Sequence, residues 1–206
     1  MLTIYGSPRS SSGRCFWCLE EIEKIYNVSP INFKEKEHKS TSYLKINPNG
    51  KTPTLNDDGF VIWESIAINF YLAETYKTEL LGIDNKQHGL VQQWSLWGIG
   101  ELQPPIIAVF IQLVFVPEER RDNEVIDEVI EKAMAKIPGL LVVLNDALEG
   151  KNNLVGNKFT LADLNVASVA SLCSEIKFSL ASYKNIQTWL TKISERPAFK
   201  KYQKLL

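Results

Sequence analysis

The periodicity of apolar residues changes once along this chain, near residue 77, and that change restricts the fold more than any other feature of the sequence. Before it, strand-like and helix-like patterns alternate. Residues 2–5 form a short apolar run ended by Gly6 and Pro8. From residue 12 to 26 the apolar residues Phe16, Leu19, Ile22 and Ile25 recur at helical spacing. Residues 30–34 suit a second strand, and a short helix near 41–46 leads into the loop NPNGK. Thr54-Leu55 and Val61-Ile62 flank Asp57-Asp58-Gly59, which is a hairpin signal. Residues 65–76 then read as a helix with Ile66, Phe70 and Ala73 on one face. The predicted order is βαβαββα.

Beyond residue 77 strand signals all but vanish. Residues 82–87 make a polar connector, after which Leu90, Trp94 and Trp97 begin a long helix. Gly98 and Gly100 weaken it, and Pro104-Pro105 are expected to bend or break it before it resumes to residue 115 and ends at Pro117-Glu118. Residues 125–148 form a second long helix, with a bend expected at Pro138-Gly139. Thr160-Leu161-Ala162-Asp163 opens a third, and two shorter helical patterns fill residues 184–203. The expected organisation is a mixed α/β domain over 1–77, a linker over 78–86 and an all-helical domain over 87–206.

Composition narrows the function. A formal net charge of -1 gives no electrostatic pull toward nucleic acid or an anionic membrane. The start MLTIYGSPRS lacks the basic and long apolar zones of a signal peptide. The longest apolar stretch, 106–116, contains Gln112 and is too short to span a bilayer. Three cysteines are too few for a disulfide framework, which points to a reduced, cytoplasmic protein. Cys15-Phe16-Trp17-Cys18 is a C-x-x-C, and a thiol–disulfide oxidoreductase is one reading of it. However, Cys15 falls inside the first helix, past the N-terminal mouth where such a thiol is activated, so both cysteines read better as helix residues. No second Cys/His cluster follows at zinc-like spacing, so no metal is expected.

Three segments carry chemistry-bearing residues in a fixed order. In GSPRSSSGR, Tyr5 closes a strand, Ser10 follows, and Arg14 lies four residues further; Ser11 offers a second register and Ser12 is the best helix N-cap. In INPNGKTPTL, Pro53 opens a strand after Thr52. In WESIAINFYL, Glu64 and Ser65 stand at a helix N-terminus, where a capping role is the ordinary reading and an anion site the functional one. His38-Lys39 and Lys51 supply donors or cations nearby in sequence.

Together these segments resemble the serine-type cytosolic glutathione transferases, and FTLADLNVAS resembles that family's helix-capping signature in the second domain, with Thr160 and Asp163 in a structural role. The resemblance covers nearly the whole chain. It implies a thioredoxin-like glutathione-binding domain with a mixed four-stranded sheet, followed by the helical domain. Ser10, or Ser11 in the second register, would hold the glutathione thiolate. Thr52 would present its backbone to the cysteinyl unit ahead of a cis Pro53, much as a strand adds to a sheet edge. Glu64 and Ser65 would take the γ-glutamyl amine and carboxylate, and His38, Lys39 and Lys51 the glycine carboxylate. The electrophile would be hydrophobic and held against the helical domain, with Ile107 and Phe110 as pocket residues. Conjugation is the expected reaction, and peroxide reduction or isomerisation can use the same site. Relatives are usually homodimers. The rival reading from the same fold is a non-catalytic interaction or dimerisation module.

The chemistry explains the serine. A thiol with a pKa of about 8.5 is only slightly ionised at neutral pH. A hydroxyl donated to the thiolate is worth about 1.5–3 kcal/mol, or one to two pKa units. No general base is needed.

Overall fold

The computed structural model describes residues 1–117 and 123–206, the side chains of residues 115 and 123–125 excepted, so Glu118 lies outside the described residues. Strands β1 (Leu2–Tyr5), β2 (Tyr26–Ser29), β3 (Thr54–Asp57) and β4 (Phe60–Trp63) form a single sheet in the order β2-β1-β3-β4. β2 runs parallel to β1, while β3 is antiparallel to β1 and β4 to β3. Helix α1 (Gly13–Ile22) connects β1 to β2, the single-turn α2 (Thr41–Leu44) precedes β3, and α3 (Ser65–Tyr76) follows β4. The predicted βαβαββα order is therefore present, as expected of a thioredoxin-like domain.

Two boundaries differ from the expectation. α1 stops at Ile22, because Glu23 takes a left-handed conformation (φ 57°) and closes the helix through its N–H to the Glu20 carbonyl. The second strand is accordingly residues 26–29 rather than 30–34, and Ile25, predicted on the apolar helix face, is 91% exposed between the two elements. The remaining face is as read: Phe16 and Leu19 are fully buried, with Ile4, Leu55, Ile68 and Leu72. Each such side chain contributes about 1.5–3 kcal/mol relative to exposure.

Beyond α3 come α4 (Asn85–Trp97), α5 (Gln103–Phe110), α6 (Asn123–Ala147), α7 (Leu161–Ala170), α8 (Leu172–Glu175), α9 (Lys184–Ser194) and α10 (Pro197–Gln203). Pro104-Pro105 do not break the chain's helical course. A π-helical turn, Gly98–Leu102, joins α4 to α5, and the Gln103 N–H bonds the Gly98 carbonyl five residues back. Widening the ladder there places both prolines in the first turn of α5, where a missing N–H costs least. A second π-helical turn, Ile111–Phe115, follows α5. The apolar stretch expected to be too short for a membrane is thereby part of a 30-residue helical run, Asn85–Val114, sufficient for a span by length and composition alone. Within its own unit, α5 packs on α6 and α4 on α7.

The chain divides into two compact units, Met1–Leu81 with Ser194–Leu206, and Gly82–Ile193. The expected linker over 78–86 already contains a 3-10 turn, Thr78–Leu81, and the start of α4. The C-terminal residues, expected with the helical domain, belong to the first unit. Their apolar and charged groups explain why: Phe199 stands edge-on to Trp17 at 4.8 Å, Tyr202 stacks over Trp17 at 6.3 Å, and Arg196 pairs with the buried Glu21.

Candidate functional site

The sheet register assembles the site. Tyr5 pairs with Thr54, and Thr54 with Trp63. The loop leaving β1, the segment entering β3 and the turn leaving β4 therefore emerge at one end of the sheet. These are the three sequence segments singled out above.

The first begins at Gly6, whose φ of +145° suits glycine; a Cβ there would meet the Ser12 hydroxyl at 2.4 Å. In the loop, the Ser10 hydroxyl donates to the Ser7 carbonyl at 2.7 Å, lies 3.0 Å from Ser12 Oγ and accepts the Ser12 N–H at 3.1 Å. Ser10 is exposed and stands directly ahead of α1. Ser11, also exposed, donates to the Thr52 carbonyl at 3.3 Å, so the second register touches the second segment. Ser12 occupies the N-cap position but is fully buried and makes no side-chain cap, contrary to the expected division of labour. The first-turn N–H groups of α1 thus lack a hydroxyl cap from Ser12.

In the second segment the Thr52–Pro53 peptide is cis. A buried polar cluster, unassigned from sequence, braces the segment. Tyr43 Oη donates to the Lys51 carbonyl at 2.7 Å and Asn47 Nδ2 does so at 2.8 Å. Both also reach Thr54 Oγ1 at 3.0 Å. Asn47 was visible as part of INPNGK, but only the packed structure shows which carbonyl it holds. Thr52 is half-buried and Lys51 exposed.

His38 and Lys39 lie in a 3-10 turn, Glu37–Lys39, beside this loop. Lys39 Nζ donates to the Asn49 carbonyl at 3.3 Å, and a Cβ on Gly50 (φ +57°) would fall 2.6 Å from the His38 carbonyl. His38 stacks on Phe33 at 4.5 Å, and its Nδ1 is buried with no partner among the described residues.

In the third segment Glu64 has φ 72° and ψ 116°, strained for a residue with a Cβ, and precedes the first turn of α3. Its side chain is exposed and Ser65 is half-buried. The Cys15 thiol donates to the Ser65 carbonyl at 3.4 Å and the Cys18 thiol to the Asn69 carbonyl at 3.9 Å, which ties α1 to α3. Both thiols are fully buried. Burial pushes Cys15 up to about 12, with Arg14 opposing, and raises Cys18 well above its ordinary value. A redox thiol needs the reverse shift. The cysteines hold helices together.

Ile107 and Phe110 lie on α5 in the second unit and are half-buried, whereas Ile106 and Val109 are buried. Thr160 and Asp163 form the expected capping box at the start of α7. The Asp163 carboxylate accepts from the N–H groups of Leu154 and Thr160 and from Trp189 Nε1 at 2.8–3.0 Å. Burial raises its pKa against these bonds. No group of three or more His, Cys, Asp or Glu residues suited to a metal occurs among the described residues.

Known proteins resemble this chain in both of its domains. Residues 1–74 match the glutathione S-transferase N-terminal domain and residues 102–197 the C-terminal domain. Glutathione S-transferase 1 of Zea mays is 31% identical over 100% of this chain and 97% of its own length. Glutathione S-transferase 1 of Schizosaccharomyces pombe is 30% identical, covering 88% and 86%. The structure of a glutathione S-transferase-I bound with lactoylglutathione superposes with a TM-score of 0.89 at 29% identity, covering 100% and 99% of the two chains. With both domain matches in order and full-length relatives above 30% identity, the chain belongs to the glutathione S-transferase family and is a glutathione transferase.

Proposed function

We propose that this enzyme binds reduced glutathione along the first unit, stabilises its thiolate with the Ser10 hydroxyl, and transfers the thiolate to a hydrophobic electrophile. The observation that carries the reading is the sheet register, which delivers the serine loop, the Thr52–Pro53 segment and the Glu64-Ser65 turn to one end of the sheet. The Thr52 backbone pairs with the cysteinyl unit. Glu64, exposed on its strained backbone, takes the γ-glutamyl amine, and Ser65 with the first-turn N–H groups of α3 takes the carboxylate. His38, Lys39 and Lys51 face the glycine carboxylate.

Ser10 suits its role because its oxygen is already held by the Ser12 N–H, which leaves the hydroxyl hydrogen to turn from the Ser7 carbonyl to a thiolate. The N-terminus of α1 adds potential favourable to an anion. The thiolate sulfur then forms a bond to the electrophilic carbon, and the displaced group leaves with its electron pair. Ile107 and Phe110 contact the electrophile. The enzyme works in the cytoplasm as a homodimer.

The test is thiolate absorbance of bound glutathione against pH, with calorimetric binding, on wild type, Ser10→Ala and Ser11→Ala. Ser10→Ala is expected to bind glutathione and raise the thiolate pKa by about one to two units. If only Ser11→Ala raises it, the second register is correct. If neither does, serine stabilisation of the thiolate is refuted.

A further inference from the structure

The C-terminal helix α10 reaches the serine loop, and nothing in the proposed chemistry uses it. Tyr202 Oη donates to the Pro8 carbonyl at 3.3 Å. Pro8 lies in the turn whose next hydrogen bonds are Ser10 N–H to the Ser7 carbonyl at 3.2 Å and Gly13 N–H to the Ser10 carbonyl at 2.8 Å. The backbone at Gly13 leaves room for this contact: a Cβ there would sit 2.5 Å from both the Pro8 oxygen and the Tyr202 oxygen. The helix bearing Tyr202 is anchored twice, by Phe199 and Tyr202 against Trp17 and by a two-point pairing of Arg196 with Glu21 at 2.8 and 2.6 Å. Glu21 is also held by Trp17 Nε1 at 3.1 Å. Burial raises the Tyr202 pKa, so its phenol remains a donor through neutral pH.

We propose that Tyr202 is a positioning residue for glutathione activation, fixing the Pro8 carbonyl and through it the turn that aims the Ser10 hydroxyl. The inference rests on the Ser10 reading. Its physical basis is that an exposed loop of small residues has little packing of its own, so a serine there aims reliably only if the loop backbone is held from outside.

Tyr202→Phe tests it, because the ring keeps its place on Trp17 and only the hydroxyl is lost. The measurements are the thiolate pKa of bound glutathione, kcat and the KM for glutathione, on wild type, Tyr202→Phe, Ser10→Ala and the double variant. Tyr202→Phe is expected to raise the thiolate pKa by a few tenths of a unit and lower kcat about two- to fivefold, with KM within about twofold, as fits loss of one neutral hydrogen bond acting indirectly. In the Ser10→Ala background it should change neither quantity further. A lowered melting temperature with unchanged pKa and kcat would make the contact purely structural and overturn the proposal. An equal pKa shift in both backgrounds would overturn it too, since Tyr202 would not be acting through Ser10. If Ser10→Ala itself shifts nothing, the serine reading fails first and the positioning role falls with it.

Discussion

Two helix starts in this enzyme, the Ser10–Gly13 start of α1 and the Thr160–Asp163 start of α7, use similar residue types for opposite ends. At α7 every group is committed: Thr160 and Asp163 are buried at 1% and 0% exposure, and one carboxylate satisfies Leu154, Thr160 and Trp189. At α1 the N-cap serine makes no side-chain cap, and Ser10 and Ser11 are exposed, their hydroxyls bonded to the Ser7 and Thr52 carbonyls and, for Ser10, to Ser12 as well. A capped helix start is a rigid structural joint. A start fronted by exposed hydroxyls keeps donors that can turn toward an anion.

The contrast predicts separable phenotypes. The largest effect belongs to Asp163→Ala, which strands four buried donors and is expected to cost about 3–5 kcal/mol in urea unfolding, enough to deplete the folded state. A loss below about 1 kcal/mol would break the comparison at its structural end. Next comes the α10 anchor. Arg196→Ala leaves the Glu21 carboxylate, 3% exposed, without its cation and is expected to cost about 3 kcal/mol, whereas Glu21→Gln leaves a cation with access to water and costs about half that. Equal losses would mean that burial does not set the asymmetry.

Ser10→Ala should be smaller still in stability, within about 0.5 kcal/mol, because its hydroxyl supports only an exposed loop. Its expected signature is a lower turnover with the raised thiolate pKa. The last effect is alkaline and absent at neutral pH. Burial raises Cys15 to about 12 and Cys173 to about 11, above the unfolded value of about 8.5, so the folded state favours the neutral thiols. That stability is complete below about pH 8.5 and is lost as pH rises toward 11–12. The urea midpoint should therefore decline across this window, less steeply in Cys15→Ser. Native protein at pH 8 should also resist thiol labelling until unfolded; rapid labelling of Cys15 would reopen the oxidoreductase reading.

Local chemistry was legible wherever neighbours in sequence decide it. The hairpin around Asp57-Asp58-Gly59, the helix over residues 65–76 and the Thr160–Asp163 box follow from turn propensity, helical period and capping. Boundaries were less so. Ile25 fits the helical period, yet a left-handed Glu23 ends α1 first, and no apolar pattern encodes that turn. At Pro104-Pro105 the sequence forecast a bend or break, but one π-helical turn absorbed the missing N–H groups.

What the sequence determined by itself is the change from alternating to helical period, the family and the order of the three segments, because these depend on residue type and spacing. Tertiary structure alone decided that Ser11 meets Thr52, that Asn47 and Tyr43 hold the Lys51 carbonyl, and that residues 194–206 return to the first unit. Those outcomes depend on which buried donors and apolar faces lack partners once the sheet has formed. Tyr202 and Pro8 are 194 residues apart, and no local preference registers a hydrogen bond over that separation.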